Sequence, residues 1–536
     1  MHALEGLRVV DLSNTPAGAL ATQLLCDYGA DVVHVEPPGG SPLRRQPGYP
    51  MWARGKKSAV LDLKRDADAA VVHRLAEVAD VVVETFRPST AERLGLTYER
   101  LSAANPRLVH ASITGFGRQG PYAEVKGYEG LVMAKVGGFA ARARMTPRPG
   151  PAYVSVPYCS YSAAQTALHG ILAALFDRER TGAGQHVEAN LAQGLAAHGP
   201  YNWFLRLVTQ RYPGAFTPAP PFDEDGVPNR GTFFNLLVGL TADGRWLQFA
   251  QNQPRLFRAL MEELGLGWML EDPEWCTAPN FESAAQRSAF WDHMLAAVNK
   301  KTLAEWNEVF DRNHDVFAEL FRFGTEIFDH PQLVHDGNVV EVDDPVRGRV
   351  RQLGAQIGME RTPARDFRAP PELDEHGAVV RSGAGWCPFD AEEAANADHR
   401  PPLDGVTVLE LGTFFAGPYG GALLADLGAR VIKIEPLEGE PLRWMLAFPE
   451  AGAVKVMQGK ESVALDMSRP EGRAIIHELA RRSDLVLQSF RAGVDRRLGI
   501  DAETLRGINP DLVYVDTRGY GTGGPCGGRP AFAPSI

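Results

Sequence analysis

Short all-apolar runs alternate with amphipathic ones from the start of the chain. LRVVDLS (7–13) is too short and too uniformly apolar for a surface helix. GALATQLLCDYGA (18–30) follows, with apolar residues at helical spacing up to Gly29, and then DVVHVEPP (31–38), a second apolar run stopped by proline. DADAAVVHRLAEVA (66–79), DVVVETF (80–86) and RLVHASITGFG (107–117) continue the alternation. Strands that alternate with helices predict right-handed crossovers and a parallel sheet covered on both faces. A long helix is expected over SAAQTALHGILAALFDRERTG, ending at Gly182, with a strand in QHVEANL after it. These elements make an α/β large domain over 1–225. The pattern then changes: amphipathic segments such as KTLAEWNEVFDRN predict a small α+β domain over 226–330. Residues 331–369 are strand-like and are read as returning to the large domain. The Pro-, Gly- and Ala-rich stretch 370–402 is read as a linker.

After the linker the beginning of the chain recurs. Leu4, Gly6, Ala17, Gly18, Asp27, Gly29, Glu36, Pro37 and Arg44 return as Leu403, Gly405, Ala416, Gly417, Asp426, Gly428, Glu435, Pro436 and Arg443, a constant shift of 399 (403 − 4). A five-residue insertion raises the shift to 404, at which 55–121 matches 459–525. A repeat of this length is a duplicated domain, because solenoid units span only about 20–50 residues. Residues 403–536 are therefore a second, partial large domain. Its last residue, Ile536, corresponds to Val132 of the first repeat. The expectation is an amino-terminal part of a longer protein.

Composition narrows the chemistry. A net charge of −11 over 536 residues argues against a nucleic-acid protein, although a local Arg cluster could still hold a phosphorylated small molecule. No signal-peptide pattern and no 18-residue apolar run is present, so no membrane association and a cytoplasmic location are expected. Cys26, Cys159, Cys276, Cys387 and Cys526 are scattered without metal-ligand spacing, which predicts reduced thiols and no metal. The first βα turn, DLSNTPAG, lacks the G-x-G-x-x-G of dinucleotide sites, so neither a nicotinamide nor a flavin cofactor is expected.

Taken in order, LEGLRVVDLS, GADVVHVEPPGG, ETFRPSTAERLGL, GFGRQGPYAEVKGYEGL and GILAALFDRERTGAGQHVE resemble the class III CoA-transferases, a family that includes formyl-CoA transferase, carnitine CoA-transferase and 2-methylacyl-CoA racemase. The resemblance implies a Rossmann-like large domain, a small domain and interlocked subunits. The chain would form an intramolecular pseudo-dimer or a homodimer, with acyl-CoA and a carboxylic acid as its small-molecule partners. It also implies CoA-binding residues. Thr85, where the family has Asn, with Phe86 and Arg87, would line the adenosine end, and Arg93 would take phosphate. Pro16 and Ala17 would stand beside the ligand, Leu61 and Lys64 would flank the adenine, and Lys126, Gly127, Tyr128 and Glu129 would follow the pantetheine arm. The second repeat carries Ser489, Phe490, Arg491 and Arg497 at the corresponding places.

The family's nucleophile is an Asp shortly before GILAAL. Its carboxylate takes the acyl group as a mixed anhydride, which CoA thiolate opens to an aspartyl thioester. Counting back from Gly170 puts Ser160 there, or Cys159 in the neighbouring register, and no Asp or Glu lies between Glu129 and Asp177. A Ser or Cys has no acyl carbon to carry CoA. His169, nine residues on, falls about 180° round a helix from Ser160 and so cannot serve it as a base. The racemases use a His where this chain has Tyr128. Three readings follow. In the first, a CoA-transferase has a first repeat that binds CoA, with the nucleophile one repeat beyond Ser160 in the continuing chain. The second is a non-catalytic acyl-CoA-binding scaffold. The third is a racemase, or a CoA-transferase coupled to a lyase.

Overall fold

The computed structural model describes residues 1–139, 150–199, 210–211, 222–223, 226–229, 234–383, 385–387, 400–444, 455–521 and 523–529. The chain divides into two compact units. One comprises Met1–Trp203, Gly337–Val406 and Asp426–Ala429, the other Phe204–Asp336, Thr407–Ala425 and Arg430–Ile536.

The first unit is built on six parallel strands, β1 (Arg8–Asp11), β2 (Asp31–Glu36), β3 (Lys57–Val60), β4 (Val81–Glu84), β5 (Val109–Thr114) and β6 (His186–Asn190), in the order β3-β2-β1-β4-β5-β6. Alternate residues of each strand feed opposite cores, as a period of two requires. Val9 and Val81 pack with Leu24, Ala167 and Ile171 on one face, while Val10 and Val82 pack with Val72, Leu75 and Leu101 on the other. Each such fully buried aliphatic side chain contributes roughly 1.5–3 kcal/mol before conformational entropy is counted. The first face is covered by the helices Pro16–Asp27 and Tyr158–Thr181. The longer one stops at Gly182, whose φ of +70° suits glycine and whose N–H bonds Arg178 O at 2.8 Å.

The chain continues in the second unit with an antiparallel sheet, β7 (Val238–Leu240), β8 (Trp246–Phe249) and β9 (Ala318–Leu320), packed with the amphipathic helices Pro254–Glu263 and Leu303–Arg312 and the helix Ala284–Val298. It re-enters the first unit through the hairpin β10 (Val339–Asp344) and β11 (Gly348–Leu353). The first part of the 370–402 stretch is not a free linker. Val60 N bonds the Asp374 carboxylate at 2.8 Å and His376 N bonds Ser58 O at 2.9 Å, so this segment satisfies the open edge of β3. Residues 388–399 lie outside the described residues.

The second unit holds a further parallel sheet, β12 (Thr407–Glu410), β13 (Arg430–Glu435), β14 (Lys460–Ala464), β15 (Leu485–Gln488) and β16 (Val513–Asp516), in the order β14-β13-β12-β15-β16. This order matches β3-β2-β1-β4-β5, and the hydrogen bonding matches as well. Leu12 N bonds Val83 O at 2.8 Å, and Leu411 N bonds Leu487 O at 2.8 Å. Arg44 pairs with Glu36 at 2.6 Å, and Arg443 with Glu435 at 2.9 Å. One buried cluster has diverged by compensation. Thr22 Oγ donates to Asp11 at 2.7 Å beside Lys56. In the second sheet a Cβ on Gly421 would lie 1.9 Å from Glu410 Oε2, so the longer carboxylate fills the space where the threonine would stand. Within this unit the small sheet's far segment clasps the loop after β16. Tyr520 donates to Glu319 at 3.3 Å, Gln332 Nε2 to Gly523 O at 2.9 Å, and Cys526 N to Gln332 Oε1 at 2.7 Å.

Candidate functional site

In the first sheet the chain runs from β1 outward to β2 and β3, then crosses back to place β4 on the other side of β1. The loops leaving β1 and β4 therefore diverge, and an open α/β sheet forms its ligand crevice at the carboxyl ends of such strands. A pocket of about 310 Å³ lies there. Leu12, Val35, Leu61, Leu63, Phe86 and Leu94 give it apolar walls, and Asn14, Glu36, Asp62, Lys64, Thr90 and Arg93 supply polar groups.

The acids are accounted for. Burial pushes the Glu36 carboxyl up, but Arg44, the Ser41 N–H and the Ser58 hydroxyl outweigh it and hold Glu36 below the usual carboxylate range. Asp62 accepts Lys64 N at 3.1 Å. The cations differ: Lys64 Nζ and the Arg93 guanidinium are exposed and form no ion pair with a described residue. Asn14, which lines the crevice, has its side-chain Oδ1 buried without a hydrogen-bond partner. Beneath the pocket Thr85 Oγ1 accepts Asn14 N at 3.2 Å, and Phe86 N donates to the Glu84 carboxylate. Gly18 is required there, since a Cβ would approach Thr85 Cγ2 to 2.8 Å. The pocket thus offers an apolar slot for a flat ring and two unpaired cations at its rim, a combination suited to a nucleotide with phosphates.

Of the residues expected to bind CoA, Leu61, Lys64, Phe86 and Arg93 line this pocket. Pro16 opens a helix, and Ala17 is fully buried in the core, so neither is among the lining residues. Thr85 supports the wall from below. Arg87 is exposed at the start of helix Pro88–Leu94, 3.5 Å from Glu124 O. Leu12, Asn14 and Thr90 were not singled out in the sequence, Glu36 was noted only as a residue of the repeat, and Asp62 lies within the 61–64 segment expected to flank the adenine. The signal that finds them is positional, because they sit where strands β1 to β4 end.

Lys126, Gly127, Tyr128 and Glu129 form a second locus. Gly127 packs backbone to backbone on Gly115, where a Cβ would come within 2.8 Å of Gly115 Cα. Lys126 Nζ lies 5.7 Å from the centre of the Tyr128 ring, and Tyr128 is exposed. Glu129 accepts Cys159 N at 2.7 Å, Ser160 N at 2.9 Å and the Ser160 hydroxyl at 2.7 Å. A carboxylate therefore does stand at the first turn of helix Tyr158–Thr181, contributed from 31 residues upstream. It satisfies N–H groups that have no helical partner and faces the positive end of the helix. Ser160 is 4% exposed, and its proton is committed to Glu129. Cys159 is fully buried, and burial together with Glu129 pushes its thiol up, away from thiolate. His169 is exposed on the same helix.

In the second unit Ser489 Oγ accepts Thr413 N at 3.3 Å, and Phe490 N donates to Gln488 Oε1 at 2.6 Å, reproducing the supports of Thr85 and Phe86. Burial, with Arg255 adding like-charge repulsion, lowers the pKa of the Arg491 guanidinium. Arg497 is exposed.

The profile of CoA-transferase family III matches residues 4–377 and 403–536. The chain belongs to that family. It is 30% identical over 389 residues to the succinyl-CoA–D-citramalate CoA-transferase of Chloroflexus aurantiacus, covering 70% of this chain and 92% of that protein. It is 25% identical over 569 residues to the CoA-transferase/lyase DddD of a Marinomonas species, covering 95% of this chain but 65% of that protein, so it spans about two thirds of that relative's length. Among solved structures, Rv3272 of Mycobacterium tuberculosis superposes with a TM-score of 0.58 at 27% identity, over 71% of this chain and 99% of that one. The family acts on CoA thioesters and carboxylates. Among the described residues no helix is long and apolar enough to cross a membrane, and no group of three or more His, Cys, Asp or Glu is placed to hold a metal ion.

Proposed function

We propose that the first repeat holds the nucleotide end of a CoA thioester in the β1/β4 crevice without forming the covalent CoA intermediate, and that the chain serves CoA transfer between carboxylic acids as one part of a duplicated enzyme. The observation that carries this reading is the pairing of two sites in one repeat. Lys64 and Arg93 stand unpaired beside an apolar slot, whereas Ser160 and Cys159, which have no acyl carbon of their own, are locked by hydrogen bonds on Glu129, the carboxylate that stands there. Adenine would stack on the Phe86 side, and the phosphates would meet Arg93 and Lys64. The carboxylate of Glu129 accepts three hydrogen bonds, which weakens it as a nucleophile and makes it a positioning residue for the helix.

The same locking supports a non-catalytic acyl-CoA-binding role for these residues as the second reading. Calorimetric titration with CoA tests binding. Arg93→Ala should weaken it by about 1–3 kcal/mol, the scale of a charged hydrogen bond; unchanged affinity rejects the site. Incubation with acyl-CoA followed by intact-mass measurement tests the chemistry, because a covalent protein–CoA thioester formed on Glu129 or anywhere in the first repeat rejects the division of roles.

A further inference from the structure

We infer that CoA binding in the first crevice is linked to a proton held on the hydrogen-bonded chain Glu84–Ser112–His186, which makes Glu84 a positioning residue of the site and ties its grip on the ligand to pH. The inference rests on reading the first crevice as a CoA site.

The chain of side chains crosses three strands. Glu84 on β4 stands in register with Ser112 on β5, and His110 on β5 with His186 on β6. Glu84 accepts the N–H of Phe86, a crevice-lining residue, at 2.5 Å and is bonded by the Ser112 hydroxyl, whose Oγ lies 3.0 Å from His186 Nε2. Glu84 and Ser112 are 2% and 1% exposed, whereas His186 is half-buried on the last strand of the sheet, so that end of the chain meets solvent.

Phe86 N needs only an acceptor. In the second unit Gln488 takes the Phe490 N–H at 2.6 Å, and Asp516 and Tyr514 stand at the places of Ser112 and His110. A neutral amide therefore holds the corresponding backbone there. The carboxyl group at Glu84 adds something other than shape, namely an exchangeable proton.

The surroundings decide where that proton sits. Around Glu84 burial outweighs Ser112, the Phe86 N–H and the charge of Arg118, and its pKa rises to about 7. His186 faces the Tyr98 ring, stacked at 5.8 Å, the His110 ring at 5.5 Å, and Arg118, whose Nη1 lies 3.4 Å from each ring nitrogen, with Glu99 and Glu188 opposing in charge. Burial and Arg118 hold the His186 pKa below its ordinary value, so the ring is neutral when Glu84 titrates. His110 is neutral as well, pushed down to about 3 by burial and by His186, with its Nε2 bonded to Leu96 O at 3.1 Å.

In the protonated state Glu84 donates to Ser112 Oγ, Ser112 donates to His186 Nε2, and His186 carries its proton on Nδ1. On ionisation the Glu84 proton passes to Ser112 Oγ, the Ser112 proton passes to Nε2, and the Nδ1 proton leaves to water. One proton is lost and both hydrogen bonds reverse. A buried negative charge then lies beneath a wall that receives phosphates, so affinity for CoA falls as pH rises through about 7, and CoA binding draws the proton back.

Calorimetric titration of the full chain with coenzyme A at pH 5, 6, 7 and 8 decides, with the wild type compared to Glu84→Gln at each pH so that titration of the ligand's own phosphate cancels. The variant should bind as the wild type does at pH 5 and about fivefold or more tightly at pH 8. Ser112→Ala removes a bond that favours the charged carboxylate and should move the midpoint of the wild-type fall to higher pH. His186→Phe keeps a ring against Tyr98 but leaves the Ser112 proton without an acceptor in the protonated state, and should move the midpoint lower. An affinity ratio that is constant from pH 5 to pH 8, or a midpoint that either substitution leaves in place, overturns the inference and leaves the CoA site standing. No response of CoA affinity to Arg93→Ala removes the site itself.

Discussion

Glu84→Gln offers a quantitative test of the wiring beneath the crevice. Glu84 ends β4, is 2% exposed, and accepts the Phe86 N–H that shapes the pocket wall. Burial drives its pKa up from 4.5 to about 7, and hydrogen bonds from Ser112 and Phe86 and the charge of Arg118 only partly oppose this. Between those two pH values the folded protein binds a proton at Glu84 that the unfolded chain releases. The stabilising contribution is complete below about 4.5 and is lost as pH rises through 7. At 1.36 kcal/mol per pH unit, the rise printed for Glu84 corresponds to about 3 kcal/mol of stability lost between pH 4.5 and pH 8. Glutamine is neutral and nearly the same shape as the protonated acid, and Gln488 already serves Phe490 in this way. Denaturant unfolding of the wild type and Glu84→Gln at pH 5, 6, 7 and 8 should give similar stabilities at pH 5 and a variant more stable by about 3 kcal/mol at pH 8. Comparing the two proteins at each pH cancels the titration of His186 nearby. Parallel curves across this range would refute the argument.

Ser160→Asp should place a second carboxylate against Glu129 and destabilise the protein at pH 8 by about 1–3 kcal/mol, with partial recovery at pH 5 as one acid takes a proton; thermal unfolding at the two values reads this. Alkylation with iodoacetamide under native conditions should label Cys276 and Cys387, which are exposed, and spare Cys26, Cys159 and Cys526, which are buried, as peptide mass spectrometry would report. Gly421→Ala should clash with Glu410 and cost about 1–3 kcal/mol, while Glu410→Asp in the same chain should recover much of it, because the first repeat pairs Asp11 with Thr22 at these places; a double-mutant cycle showing no coupling contradicts the compensation.

The strands and helices of both parallel sheets were legible in the chain because buried strands are near-continuous Val, Ile and Leu runs, and because glycines such as Gly182 mark helix ends through a backbone geometry other residues avoid. Leu61, Lys64, Phe86 and Arg93 could be picked out only through the resemblance of their segments to the class III CoA-transferases; that they share one crevice follows from the strand order, which no local pattern shows. Local pattern carries no information about partners far along the chain. That Glu129 would reach the first turn of helix Tyr158–Thr181 depends on a loop folded back through the Gly115–Gly127 contact. That Asp374 and His376 would cap the edge of β3, more than 300 residues earlier, depends on an edge needing hydrogen bonds from any segment able to reach it. The meeting of Gln332 with Gly523 and Cys526 is likewise a product of packing. Periodicity in sequence follows from which face of an element is buried, so it determines the elements. Hydrogen-bond complementarity and close approach act between elements only after collapse, so the tertiary structure alone decided which carboxylate stands at Ser160.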